Sequence, residues 1–216
     1  MSKKINIDTK NIFMLYIISM IKVAISGNIA SGKSQVERAL LAKGYKVTDT
    51  DKINHFILAT DISAIKEIKE TFAEDDVLDE EGHISREKLG LIVFSSDNKK
   101  KKLEEILHKR INQKVNEFYE TNKNEKVVFV SIPLLFETKQ ENNFDKIIFV
   151  SADEDVRLKR LMLRNKYSES YAKKRIESQQ SEDEKIKKSD YVIYNNSDFL
   201  NLNNQLFEIL EKINNN

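Results

Sequence analysis

The sequence predicts an α/β fold in which a parallel sheet of five strands is flanked by helices, with one helical segment inserted between strands two and three and another between strands four and five. Three observations carry this. Short apolar runs rich in β-branched residues recur along the 216 residues, each too short for a helix and without polar alternation, as strands covered on both faces require. Between them, apolar residues return at helical spacing. The first run leads straight into "GNIASGKS", Gly27 to Ser34, a glycine-framed turn that opens a helix.

The first strand is Ile21 to Ser26, and "MIKVAISGNIASGKS" from Met20 reads as the start of a domain spanning 20–216. Residues 1–19 are expected to be an extension, disordered or non-native. Within "NIFMLYIISMIKVAIS" only about 10 uncharged residues precede Lys22, where a membrane span needs roughly 20. No A-x-A-like site follows, as a secretory signal would require. A helix from Lys33 to about Lys43 closes on Gly44 as its C-cap, and the second strand, Tyr45 to Asp49, completes a βαβ unit with a right-handed crossover.

From Ile53 to Thr121 no strand signal appears, while "DISAIKEIKETF", "SREKLGLIVF" and "KKLEEILHKRINQKVNEFY" carry helical spacing. Residues 53–121 are therefore an inserted helical subdomain. The third strand, Val127 to Ile132, runs into Pro133, the sole proline, which sets the turn before "LLFE". Lys146 to Ser151 is the fourth strand and Tyr191 to Tyr194 the fifth. Between them, residues 153–185 hold a helical pair dense in Arg157, Arg160, Arg164 and Arg175, a placement that suits a lid. "SDFLNLNNQLFEILEKI" is a closing amphipathic helix with Ser197 as its N-cap. The core is thus 20–52, 122–152 and 186–216. The charge runs "EDDVLDEE" and "NKKKKLEE" flank predicted helices and read as solvated surface.

Composition narrows the function classes. Lys plus Arg number 36 against 35 for Asp plus Glu, a net charge of +1, so no global field attracts nucleic acid or anionic membrane. An anion site has to be built locally. With no cysteine there is no disulfide and no thiolate-held metal, which agrees with a reducing cytoplasm. Oligomeric state is open, monomer or small homo-oligomer.

"GNIASGKS" satisfies G-x-x-x-x-G-K-[ST] after a strand and before a helix, the context that marks a phosphate-binding loop. Gly27, Asn28, Ile29, Ala30, Ser31 and Gly32 supply inward backbone N–H groups, and the start of the helix, with Gln35, adds positive potential. Lys33 is placed for the β- and γ-phosphates of a bound nucleotide and Ser34 for Mg²⁺. Asn28 is the inner residue best suited to positive φ, and the small Ala30 leaves room for phosphate. At the end of the second strand, "KVTDTDKI" presents Asp49 and Asp51 at i and i+2, on one side of a strand. One carboxylate could then take a hydroxyl proton while the other supports metal or water; the alternative is a pair of helix-capping aspartates. Arg157, Arg160 and Arg164, at i, i+3 and i+7, share one helical face. They serve either a bound nucleotide or surface pairs with Asp153, Glu154 and Asp155. His108, on the long predicted helix, reads on its own as a packed or surface histidine.

These motifs together resemble the dephospho-coenzyme A kinases. That family reads T-G-G-I-G-S-G-K-S, D-A-D, G-x-x-x-R-x-x-L, H-P, P-L-L-F-E, R-L-x-R-x-x-x-R and A-D-x-V-I-x-N in order. Here stand "SGNIASGKS", "DTD" at 49–51, "GHISREKL" at 82–89, "LHKRI" at 107–111, "IPLLFE" at 132–137, "RLKRLMLR" at 157–164 and "SDYVIYNN" at 189–196. Asn28 and Ala30 replace loop glycines, and Lys109 follows His108 where the family has proline. The resemblance implies transfer of the γ-phosphoryl of ATP, with Mg²⁺, to the ribose 3′-hydroxyl of dephospho-coenzyme A. It also implies Asp51 as base, Lys33 and Arg160 as catalytic cations, and Arg157 and Arg164 on the ATP side. Asp49, Arg86, His108, Pro133 and Leu134 would hold the acceptor, with Asp51 a further possible ligand to Mg²⁺. Two other readings are open: a nucleoside monophosphate kinase, which shares the loop and an arginine lid, and a non-catalytic nucleotide switch. Against the switch, no N-K-x-D guanine-specifying motif is present.

Overall fold

The computed structural model describes residues 20–215, so the expectation for residues 1–19 lies outside the described part. Five strands, β1 (Ile21–Gly27), β2 (Lys46–Asp49), β3 (Val127–Ser131), β4 (Lys146–Ser151) and β5 (Tyr191–Tyr194), form one sheet in the order β2-β3-β1-β4-β5. Every pairing is parallel, with Ile21 opposite Val127 and Val23 opposite Lys146. The chain leaves β1 for the far flank, returns through β3 beside β1, and crosses to β4 on the other side. Its direction reverses at β1, and the carboxyl edge at such a switch point is where ligands of open α/β sheets bind.

Both faces of the sheet are covered, which is why the strands read as unbroken apolar runs. On one face Val23, Ile25, Phe129, Ile148, Val150 and Ile193 pack against α1 (Lys33–Ala42) and α9 (Phe199–Asn214). On the other, Ala24, Val130, Ile147 and Phe149 meet Leu135 and Phe136, with Val115, Phe118 and Tyr119 of α5 (Asp97–Thr121) laid against them. The chain past α1 turns through Gly44 at φ +88°, a left-handed conformation that a glycine takes without Cβ strain.

Between β2 and β3 lie α2 (Thr50–Thr60), α3 (Ile62–Thr71), α4 (Arg86–Phe94) and α5. Asp61, Ser85 and Ser96 cap α3, α4 and α5, each accepting a backbone N–H three residues on. Their shared core is Ile57, Ala64, Ile68, Phe72, Leu89, Ile106 and Leu107. The long α5 belongs to both bodies, its first half in this core and its second half on the sheet. After β4 come α6 (Glu154–Asn165), α7 (Glu169–Glu177) and a short α8 (Glu182–Lys187), one helix more than the expected pair.

Three local expectations are corrected. The closing helix is capped by Asp198, whose carboxylate accepts from the Asn201 N–H at 2.9 Å, and not by Ser197. The "NKKKKLEE" run lies inside α5 instead of flanking it, and Lys99 there pairs with Asp75 of the acidic run at 2.5 Å. Helix α2 starts at Thr50, so Asp51 is helical and not part of β2. Among the described residues no helix is long and apolar enough to cross a membrane.

Candidate active site

The loop from Gly27 to Ser34 leaves the central strand and enters α1. Its two glycines are required by crowding. A Cβ on Gly27 would sit 2.6 Å from the Val150 carbonyl oxygen, and one on Gly32, whose φ is +97°, would sit 2.0 Å from Asn195 Nδ2. The inner residue with positive φ is Ala30, at +61°, and not Asn28 as its residue type led us to expect. Asn28 is instead buried, its side chain spent on hydrogen bonds described below. No side chain caps α1 and no acid stands in its first turn, so its positive end is open to an anion. Ser34 is exposed there, while Ser31 is fully buried with its Oγ unpaired among the described residues.

Lys33 does not project freely. Its Nζ donates to Glu37 Oε1 at 2.9 Å and to the Ser131 hydroxyl at the end of β3. Ser131 Oγ in turn donates to Glu37 Oε1 at 2.6 Å. Burial pushes the Glu37 carboxyl up, but the Lys33 charge, the hydrogen bonds from Ser131 and Lys33, and Lys52 outweigh it and hold the group below its ordinary value. Glu37 was missed by sequence reasoning. Its only signal was an acid one helical turn after the loop lysine, and its second partner lies on a distant strand.

The aspartate pair is arranged differently from the expected strand pleat. Asp49 is the N-cap of α2 and accepts the Asp51 N–H at 2.8 Å, while Thr50 Oγ1 donates to the Ser131 carbonyl at 3.2 Å and seats the helix on β3. Asp51 is thereby turned out of the cap, into a cleft of about 590 Å³ that also receives His108, Pro133 and Leu134. Asp51 is exposed to solvent, but the cleft walls partly desolvate its carboxyl and raise it above its ordinary value; the Asp49 charge adds to this, and Lys33 and Arg86 oppose it. The cleft lining includes the apolar Leu103, Leu107, Ile111 and Phe144 among polar residues such as Lys100 and Asn112. Asn54, one turn after Asp51, lines the same cleft with a buried Oδ1 that has no hydrogen-bond partner among the described residues.

Other candidates lie apart. Asp49 faces a smaller cavity of about 260 Å³ with Glu37 and Lys52, and Arg86 touches the His55 ring beside a third of about 390 Å³. The three arginines of α6 share a face but their guanidinium groups do not converge. Arg160 donates to the Ser31 carbonyl at 3.3 Å and to the Asn195 carbonyl at 2.9 Å, against the loop. Arg157 is buried, bonded to the Ala152 carbonyl at 2.9 Å and paired with Glu182 at 3.3 Å; Arg164 is exposed and bonds to Asn165. None of the three pairs with Asp153, Glu154 or Asp155. Asn195, just after β5, lies in the "SDYVIYNN" motif noted in the sequence but was given no role there: its Nδ2 donates to the Ser31 carbonyl at 2.7 Å and to Gln35 Oε1 at 2.9 Å.

Comparison with known proteins places this arrangement. The family model for dephospho-CoA kinase matches residues 21–201. The chain is 40% identical over 200 residues to the dephospho-CoA kinase of Fusobacterium nucleatum, covering 91% of this chain and 100% of that one. It is similar to the solved dephospho-CoA kinase from Campylobacter jejuni, at 33% identity and a TM-score of 0.65 over 89% of this chain and 96% of that one. It is likewise similar to the crystal structure of TT1252 from Thermus thermophilus, at 31% identity and a TM-score of 0.79 over 90% and 98%. A family model that matches residues 21–201, a relative 40% identical along nine-tenths of the chain and a shared fold lead to one conclusion: the chain belongs to the dephospho-CoA kinase family.

Proposed function

We propose that the chain is a cytoplasmic, magnesium-dependent kinase that transfers the γ-phosphoryl of ATP to the ribose 3′-hydroxyl of dephospho-coenzyme A, giving coenzyme A and ADP, the last step of coenzyme A synthesis. The observation that carries it is the position of Asp51, at the mouth of a partly apolar cleft of about 590 Å³ shared with His108, Pro133 and Leu134, and within electrostatic reach of Lys33. The cleft is large enough for an acceptor with an apolar arm.

In this reading the Asp51 carboxylate takes the proton of the 3′-hydroxyl as its oxygen bonds to the γ-phosphorus and the bond to the ADP oxygen breaks. A base works best with a pKa nearer neutrality, the direction in which partial desolvation by the cleft and the Asp49 charge move this group. Lys33 exchanges its contact with Glu37 for phosphate oxygens, and Arg160, on a lid of residues 153–185, neutralises charge that develops during transfer. The exposed Ser34 hydroxyl at the open start of α1 is a hard oxygen donor that would hold Mg²⁺ together with phosphate oxygens and water, and the ion would screen the charge of the β- and γ-phosphates. His108, Pro133 and Leu134 line the acceptor side.

The test is an acceptor panel with ATP and Mg²⁺: dephospho-coenzyme A, adenosine, AMP, CMP and shikimate, read as ADP formed. Dephospho-coenzyme A is expected to dominate. Preference for AMP or CMP would instead make the chain a nucleoside monophosphate kinase.

A further inference from the structure

The inner residues of the loop, where glycines would expose bare backbone, use side chains to hold the segment that follows β4. Asn28 spends both ends of its amide. Nδ2 donates to Glu182 Oε2 at 2.9 Å, and Oδ1 accepts from Lys185 Nζ at 2.9 Å. The two partners stand three residues apart on α8, on one face. Their opposite charges fix the amide's orientation, because flipping it would set its NH₂ against an ammonium and its oxygen against a carboxylate.

Both partners are anchored elsewhere. Glu182 pairs with Arg157 at 3.3 Å and accepts from the Ser151 hydroxyl; Lys185, only 2% exposed, pairs with Glu137 at 2.6 Å. Next along the loop, the Ile29 N–H donates to Gln179 Oε1 at 2.8 Å, and Ile29 and Ala30 pack against Leu161, Ala172 and Ile176 of α6 and α7. At the loop's other end, Arg160 of α6 reaches the Ser31 carbonyl. The whole of residues 153–185 is thus docked on the phosphate loop itself.

We propose that Asn28 is a positioning residue: its side-chain amide couples the phosphate loop to α8, so that the seat of the lid, and with it the place of Arg160, is set from within the nucleotide-binding loop. A glycine at this position has no side chain to make this bridge. The inference rests on the proposed reading of 153–185 as a lid.

The test uses the full chain with Asn28→Ala. The Asn28 backbone is not in the left-handed region, so alanine fits, and thermal denaturation reports whether the fold is kept. Hydrogen–deuterium exchange is followed in residues 179–188 with and without β,γ-imido-ATP and magnesium, alongside steady-state kinetics. Loss of two buried hydrogen bonds is expected to speed exchange there about tenfold or more without nucleotide. A mispositioned lid should lower kcat about tenfold while the KM for ATP moves less than about threefold. Lys185→Met approaches the bridge from α8 and is usable if Asn28→Ala fails to fold; the double variant should be no worse than the poorer single one. Unchanged exchange, or additive effects in the double variant, would overturn the coupling. Faster exchange with unchanged kcat would overturn the positioning role and the lid reading with it. Exchange does not depend on which acceptor is used, so a wrong acceptor assignment is distinguished by a parent enzyme inactive on dephospho-coenzyme A with its exchange pattern intact.

Discussion

Replacing Glu37 by glutamine keeps the shape of the side chain and removes its charge from a site that is 4% exposed. Two contacts set the cost. The pair with Lys33 at 2.9 Å is partly shielded, the lysine side chain being 15% exposed, whereas Lys52 at 3.7 Å is 73% exposed and contributes little. A charge-assisted hydrogen bond contributes about 1.5–3 kcal/mol, and the glutamine oxygen can still accept from Ser131, so the loss should be about 2 kcal/mol at pH 7. For a chain of this size that is a fall in Tm of about 4–8 °C. Because the folded carboxyl lies below its ordinary value, its stabilisation is present above the unfolded pKa and is lost as pH falls through the folded one. Urea denaturation of parent and variant should therefore show a gap that is full at pH 7 and closes in acid, below about pH 4. Equal stabilities at pH 7, or a gap independent of pH, would refute the buried ion pair.

Gly32→Ala places a methyl 2.0 Å from Asn195 Nδ2 at a φ of +97°, so it should cost about 1–3 kcal/mol in stability and raise the Kd for ATP, read by denaturation and nucleotide titration. Retained affinity would show that the loop shifts without penalty. Arg160→Ala should lower kcat far more than it raises KM for dephospho-coenzyme A, because the guanidinium stands on the loop and not in the acceptor cleft. A change confined to acceptor KM would make it a substrate anchor.

What could be read from the sequence, and what could not, divides by the distance between partners. Lys146–Ser151 was bounded correctly because a strand buried on both faces writes its burial into consecutive residues; Tyr191–Tyr194, an edge strand with only Ile193 buried, was bounded by its short β-branched and aromatic run. The loop was found for a similar reason: its two required glycines, its lysine and its serine lie within eight positions. Asp51 was identified by type and placed on the wrong element, since "DTD" suits a strand end and a capped helix start alike. What decides between them is Thr50 reaching the Ser131 carbonyl across the fold. Ser197 and Asp198 are both good caps, and no local rule separates them. Asn28 and Glu37 were opaque in a stronger sense. Their partners on α8 and β3 stand 154 and 94 residues away, so apart from Lys33 one turn before Glu37 the sequence around them carries no trace of the bonds.

Whether Asp51 performs the chemistry is decided by the single-turnover rate of Asp51→Asn with ATP, Mg²⁺ and saturating dephospho-coenzyme A. Asparagine preserves size and hydrogen bonding but cannot take the hydroxyl proton. The expected result is a rate lower by about 10²–10⁴ with ATP affinity unchanged. A rate within a few-fold of the parent would contradict it, leaving Asp51 a residue of the cleft wall with no part in proton transfer.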